Sequence, residues 1–214
     1  CRLVPYATGG STGEPLRFVK DKRTISWTRA AVSRNYRWAG LDLGDRYVSL
    51  WGSPFDVSVT KNTLGRLKSA LERHKMLSAS DLSEQSMAQY IEQIREFKPK
   101  VIRAYASALV LFAHYIEQKG ISNLGLHSAI STAEKLFDYE RELIEEQLDC
   151  EVYDTYGSRE VAIMAGECSE HSGYHISSET VILEFVRNGE NVSLGEMGEI
   201  LVTDLQNYGM PLIR

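Results

Sequence analysis

The sequence predicts an α/β fold with a β-rich carboxyl-terminal part, and three observations carry that prediction. Segments of strand character alternate with segments of helical periodicity as far as about residue 160. From about Val161 the texture changes to short apolar runs separated by turns, "VAIMAGE", "YHISSETVILEFV" and "GEILVTDL". Hydrophobic residues make up 43% of the 214 positions and charged residues 25%, the balance of a globular chain rather than a disordered one.

The elements follow in order. "RYVSLWG" reads as a buried strand, because Tyr47, Val48, Leu50 and Trp51 are β-formers and Gly52 and Pro54 end the run. Residues 81–97 read as a helix. Asp81 can cap it with Glu84 three positions on, and Met87, Tyr90, Ile91, Ile94 and Phe97 recur at helical spacing before Pro99 stops it. "VIRAY" is a short strand, Ser107 to Lys119 a second helix with Gly120 as its C-cap, and "HSAIST" another strand. Glu134 to Leu148 is a third helix, with Leu136, Phe137, Leu143, Ile144 and Leu148 inward, and "CEVYDTYG" is a strand running into a turn.

Composition removes several classes of function. The net charge is -5 with Lys and Arg scattered, so nothing electrostatic points to a nucleic-acid partner. The longest apolar run, Ala106 to Ala113, is broken by Ser107 and is too short to span a bilayer. No basic leader precedes an apolar core, and Cys1, Cys150 and Cys168 form no disulfide framework, so a reducing cytoplasm is the default. The chain starts at Cys1 rather than Met and stops at "MPLIR"; the expectation is a piece of a longer protein.

Near the start, "YATGGSTGEPLRF" packs Thr8, Gly9, Gly10, Ser11, Thr12 and Gly13 into consecutive positions. Consecutive glycines let successive backbone N–H groups point one way and form an anion-binding nest, to which the hydroxyls add donors. No Gly-Lys-Ser/Thr follows, so this is not a Walker loop, and on composition alone a polar surface turn competes with phosphate binding.

The exact string goes further. "TGGSTGEP" resembles the phosphate-binding loop of the ANL adenylate-forming superfamily, although Leu16 stands where the usual Lys would be. "DTYGSRE", residues 154–160, resembles that superfamily's Tyr-Gly-x-Thr/Ser-Glu motif, with Arg159 replacing the hydroxyl residue. "GEMGEILVTDLQNYGMPLIR", residues 195–214, is similar to the segment that precedes the ribose-binding aspartate. Together with "WGSPFD", "YASAL", "STAEKL" and "GYHI", these strings are most similar to the phenylacetate–CoA ligase-like branch, including its capsular-polysaccharide-biosynthesis members.

That resemblance implies a partial AMP-binding (adenylation) domain over residues 1–214: part of the large N-terminal domain, with mixed sheets flanked by helices, and without the small C-terminal domain. It implies ATP-dependent activation of a carboxylic acid, aromatic by the subtype, followed by thioester formation with CoA. The alternatives are an adenylate-forming transferase that does not use CoA, or an inactive nucleotide-binding fragment. The superfamily's catalytic lysine and ribose aspartate lie outside this chain, so the isolated piece is expected to be inactive or very weak.

By the same resemblance Thr8 to Gly13 hold the phosphates, and Glu160 is catalytic and holds Mg2+. Tyr156 covers the adenine, with Asp154, Thr155 and Gly157 beside it and Ser131, Ala133 and Glu134 opposite. Trp51, Phe55 and Tyr105 line the acyl pocket or, on the competing reading, plain core. The partners are a small carboxylic acid, ATP and CoA, with a dimer left open.

A separate constellation is "ECSEHSGYHISSE". Cys168, His171 and His175 have C-x2-H-x3-H spacing, which suits zinc, with Cys150 as the one other internal thiol for a fourth position. The competing readings are a turn with Cys168 buried, or His175 facing the nucleotide or acyl site. His74, His114 and His127 read as ordinary residues.

Overall fold

Short β-branched and aromatic runs punctuated by turns build the sheets, and amphipathic runs between them build the helices. The computed structural model describes residues 3–8, 14–52, 67 and 69–211. A hairpin of β1 (Val4–Ala7) and β2 (Arg17–Lys20) comes first, then α1 (Lys22–Trp38). Next come β3 (Tyr47–Trp51), β4 (His74–Ser78), α2 (Glu84–Phe97), β5 (Val101–Tyr105), α3 (Ala106–Lys119), β6 (Ser128–Thr132) and α4 (Asp138–Leu148). The remainder is β7 (Glu151–Ser158), β8 (Ala162–Gly166), β9 (His175–Ile176), β10 (Val181–Arg187), β11 (Glu190–Asn191) and β12 (Glu199–Asp204).

The main sheet has seven strands in the order β4-β3-β5-β6-β7-β8-β9. The first five are parallel and the last two antiparallel. A separate antiparallel sheet has the order β11-β10-β12. The mixed α/β architecture with a β-rich end is the one expected.

Strand alternation sorts the core into two layers. Val48, Leu50, Ile102, Ala104, Ala129 and Val152 face α2, α3 and α4, where Ile94, Leu109, Phe112, Ile116 and Ile144 are fully buried. Each such side chain contributes about 1.5–3 kcal/mol by leaving water. On the opposite face Val101, Ile130 and Tyr153 pack with Tyr36, Ala39 and Leu41, in and just after α1. No helix among the described residues is long and apolar enough to cross a membrane.

Three expected boundaries move. The first periodic helix starts at Glu84 and is capped by Ser83; Asp81 instead accepts hydrogen bonds from Ser83 N at 3.2 Å and Ser86 Oγ at 2.6 Å, bracing the turn ahead of the cap. The second starts one residue early, at Ala106, and ends at Gly120, whose φ of 61° is the left-handed conformation expected of a C-cap. The third begins at Asp138, not Glu134, because Glu140 accepts from Phe137 N at 3.0 Å and closes the first turn there.

Candidate active site

The strands β3, β5, β6 and β7 all end at one edge of the parallel sheet. From β3 the chain passes to β4 on one side, then returns across β3 to β5 and proceeds outward through β6 and β7. The connections leaving β3 and β5 therefore diverge, and such a switch point opens a crevice at the carboxyl ends of the strands. Trp51 ends β3, Tyr105 ends β5, Thr132 ends β6, and Thr155 and Gly157 lie toward the end of β7.

Two cavities open there. The smaller, about 390 Å³, lies on the α1 side. Its walls are Val32 and Tyr36 of α1, Trp51, Arg103 and Tyr105 of the central strands, and Ser158, Arg159, Ala162 and Ile163 around the β7–β8 turn. The Trp51 and Tyr105 rings lie 4.7 Å apart at a tilt of 32°. The guanidinium of Arg103 stands 4.5 Å over the Trp51 ring and donates to the Tyr36 hydroxyl. Its Nε is buried with no hydrogen-bond partner among the described residues.

The larger cavity, about 610 Å³, runs from Ala133 to Leu136, past Asp154 and Tyr156 of β7, to Tyr174 and Ile176. Leu183, Phe185 and Ile200 of the three-stranded sheet give it an apolar back wall. Asp154 and Tyr156 border this cavity alone, Ser158 the smaller one alone, and Ala133, Thr155 and Gly157 border both. Ala133 has φ 69°, an uncommon conformation for a residue with a Cβ, held at the ridge between the cavities. Gly157 has no room for a side chain, since a Cβ there would sit 2.2 Å from the Ala162 carbonyl oxygen.

Asp154 is buried and accepts from the Tyr174 hydroxyl at 2.5 Å through Oδ2, while Oδ1 has no partner among the described residues. Burial pushes its carboxyl above the ordinary aspartate range, and the Tyr174 hydrogen bond pulls only partly back. Burial likewise raises the Tyr174 phenol above its usual value, with the hydrogen bond to Asp154 adding to the rise. Glu134 lines the larger cavity, but its Oε2 accepts from Ser107 N at 2.8 Å and so tethers the amino end of α3 to the cavity wall. Ser131 is fully buried beneath the wall; its carbonyl accepts from Thr155 Oγ1 at 2.9 Å.

Of the expected phosphate loop, Gly9, Gly10, Ser11, Thr12 and Gly13 lie outside the described residues, as does Phe55 of the expected acyl pocket. Thr8 closes the loop's neck: its N–H donates to the Leu16 carbonyl at 3.0 Å, and Leu16 N donates to Thr8 Oγ1 at 2.9 Å. Glu160, half-buried between β7 and β8, acts electrostatically on Lys20 at the far end of the same hairpin. Burial lowers the Lys20 pKa, while Asp204 and Glu160 work in the opposite direction.

Of the three expected zinc ligands, Cys168 and His175 are brought together and His171 points elsewhere. His175 Nε2 lies 3.2 Å from Cys168 Sγ, with its ring against Trp38 at 5.0 Å. His171 has φ 46° and turns its ring away, to 4.8 Å from Tyr153 and within 3.4 Å of Glu167 Oε2. Among the described residues no group of three or more His, Cys, Asp or Glu side chains is placed to hold a metal ion. Nor does His175 border either cavity; Tyr174 and Ile176 on each side of it do. Sequence reasoning passed over Arg103, Tyr36 and Tyr174. An arginine inside the apolar run "VIRAY" was the visible signal for the first of these.

No protein-family model matches the chain. It is 26% identical to Protein CapK of Staphylococcus aureus over 215 residues, covering 100% of this chain and 46% of that protein. It is 27% identical to phenylacetate-coenzyme A ligase of Pseudomonas putida over 216 residues, covering 98% of this chain and 48% of that one. The chain thus spans about half the length of the curated relatives it matches. An open conformation of 2-hydroxyisobutyryl-CoA ligase in complex with 2-HIB-AMP and CoA superposes with a TM-score of 0.72 at 18% identity, over 94% of this chain and 45% of that one. The anthranilate CoA ligase AuaEII in complex with anthranoyl-AMP gives 0.69 at 19% identity, over 94% and 39%. End to end, then, the chain is similar in sequence to phenylacetate–CoA ligase and CapK, and it has the fold of the N-terminal domain of the acyl-CoA ligases.

Proposed function

We propose that this chain forms the nucleotide- and acid-binding part of an AMP-forming acid–CoA ligase, with the larger cavity taking adenine and the smaller one the acid. The carrying observation is that the two cavities lie back to back across the end of β7 and share Ala133, Thr155 and Gly157. The reaction needs that arrangement, because an acid carboxylate must meet the α-phosphate of a nucleotide held beside it. The curated similarity to a phenylacetate–CoA ligase supports the same reading.

In this reading adenine lies against Tyr156, and the unpartnered Asp154 Oδ1 accepts a hydrogen bond from its amino group. Residues 1–214 act as a partial adenylation domain in which Thr8 to Gly13 cradle the β- and γ-phosphates. Glu160 fits Mg2+: it is a half-buried hard oxygen donor, and such sites combine one or two carboxylates with substrate phosphates. When bound, the ion neutralises phosphate charge. Trp51 and Tyr105 grip the acid. Its carboxylate oxygen attacks the α-phosphorus, the bond to the bridging oxygen breaks, and pyrophosphate leaves with the electron pair. The CoA thiolate then adds to the acyl carbonyl and AMP departs from the same carbon.

The similarity to CapK favours a second reading, in which the adenylate is passed to an acceptor other than CoA. One assay on the full-length protein tests both. Aryl and aliphatic acids are offered with ATP and Mg2+, with and without CoA, and pyrophosphate and AMP are measured. AMP release that depends on CoA is expected. Adenylate formation indifferent to CoA selects the second reading, and an absence of acid-dependent pyrophosphate release overturns both.

A further inference from the structure

Arg103 is out of place in a pocket built for a plain aromatic or aliphatic acid. It sits in the middle one of the five parallel strands, paired in register with Ser49 on one side and Ile130 on the other. Its side chain shares a face with Tyr105 and enters the smaller cavity. The partners the structure gives it are neutral: the Tyr36 hydroxyl and the rings of Trp51 and Tyr36. Among the described residues no carboxylate pairs with it and its Nε has no hydrogen-bond partner. A guanidinium is always charged, and withdrawing one from water without an anionic partner is unfavourable. A cavity that retains such a cation is built to receive an anion.

Position says which anion. Arg103 precedes Tyr105 by two residues, so it lies about 6.6 Å along the strand from the edge where the α-phosphate would sit. A group reaching it is therefore separated from the reacting carboxylate by roughly the length of an aromatic ring. Arginine presents a planar fork that matches a carboxylate with two parallel hydrogen bonds, and the Tyr36 hydroxyl already accepts from one of its nitrogens.

Building on the acid–CoA ligase reading, we propose that the acid taken by the smaller cavity carries a second, distal carboxylate, and that Arg103 is the residue selecting it. Trp51 and Tyr105 then hold the body between the two acidic ends, and Tyr36 positions the arginine.

The test is binding without turnover. The full-length protein is saturated with an α,β-methylene analogue of ATP and titrated calorimetrically with phenylacetate or with 4-carboxyphenylacetate. The dicarboxylate is expected to bind about tenfold or more tightly, the scale of a charge-assisted pair. Arg103→Met should abolish that preference while leaving affinity for the analogue unchanged. Tyr36→Phe should reduce it, and Arg103→Lys should keep part of it. A merely structural arginine would not change the ratio between the two acids. Equal or tighter binding of phenylacetate by the unaltered protein overturns the proposal while leaving the ligase reading intact. So does an equal loss for both acids in Arg103→Met, which would place the arginine at the reacting carboxylate. Failure of the unaltered protein to bind the analogue overturns the ligase reading, and this proposal with it.

Discussion

The Tyr174 hydroxyl donates to Asp154 Oδ2 at 2.5 Å, while Oδ1 of the same carboxylate is buried without a hydrogen-bond partner among the described residues. Two residues 20 positions apart thus make one half-used acceptor. Burial raises the Asp154 pKa, so the folded protein holds this proton more tightly than the unfolded chain. The contribution to stability is present below the unfolded value of 3.8 and is lost as pH rises through the native value. Asp154→Asn keeps an acceptor for Tyr174 and removes the buried charge. At neutral pH the variant should be at least as stable as the unaltered protein, with the advantage vanishing below pH 3.8. Urea denaturation at several pH values checks this, and a variant less stable at neutral pH contradicts it.

Tyr156 is 44% exposed along the larger cavity, so its ring contributes little to the core. Tyr156→Ala should leave thermal stability nearly unchanged while weakening ATP binding by about 1–3 kcal/mol, the scale of base–aromatic stacking. Fluorescence titration with the nucleotide against a thermal melt separates the two effects.

Gly157 meets the Ala162 carbonyl too closely to tolerate a methyl group. Gly157→Ala should force β7 and β8 apart at the register shift between Tyr156 and Gly157. The expected cost is about 1–3 kcal/mol, seen as a Tm lower by several degrees, with ATP binding reduced as well. An unaltered melt would show that the strands yield freely there.

Cys150 lies partly buried against the α3–α4 core, and burial, with the carboxylates of Glu145, Asp149 and Glu151 around it, pushes its thiol up to about 12. At pH 8 it should resist iodoacetamide in the folded protein and react fully once denaturant is added. Peptide mapping after labelling reports this directly.

Much of the larger cavity was legible because its residues come from contiguous strings. Strand periodicity distributes "DTYGSRE" across two faces without further information. The smaller cavity was less legible: Arg103 and Tyr36 belong to different elements, and only the sheet and α1 bring them together. Helix α1 itself left a faint pattern, because its buried positions are Thr24, Ala31 and Asn35 rather than an apolar stripe. Its signal was a cap, Asp21, which accepts from Thr24 N at 2.7 Å. The C-x2-H-x3-H spacing left the arrangement open, because spacing along a turn does not fix direction. A left-handed residue at His171 sends that ring toward Tyr153 while His175 turns to Cys168.

The alternation along β7 imposes a constraint on how such a chain can change over generations. Substitutions at Asp154, Tyr156 or Ser158 alter one compartment, whereas those at Thr155 or Gly157 alter both. A one-residue insertion or deletion there would reverse the faces of the strand and turn Asp154 and Tyr156 away from the larger cavity. Composition can therefore drift most freely at the positions that touch a single cavity, while a change in the length of this strand disturbs both.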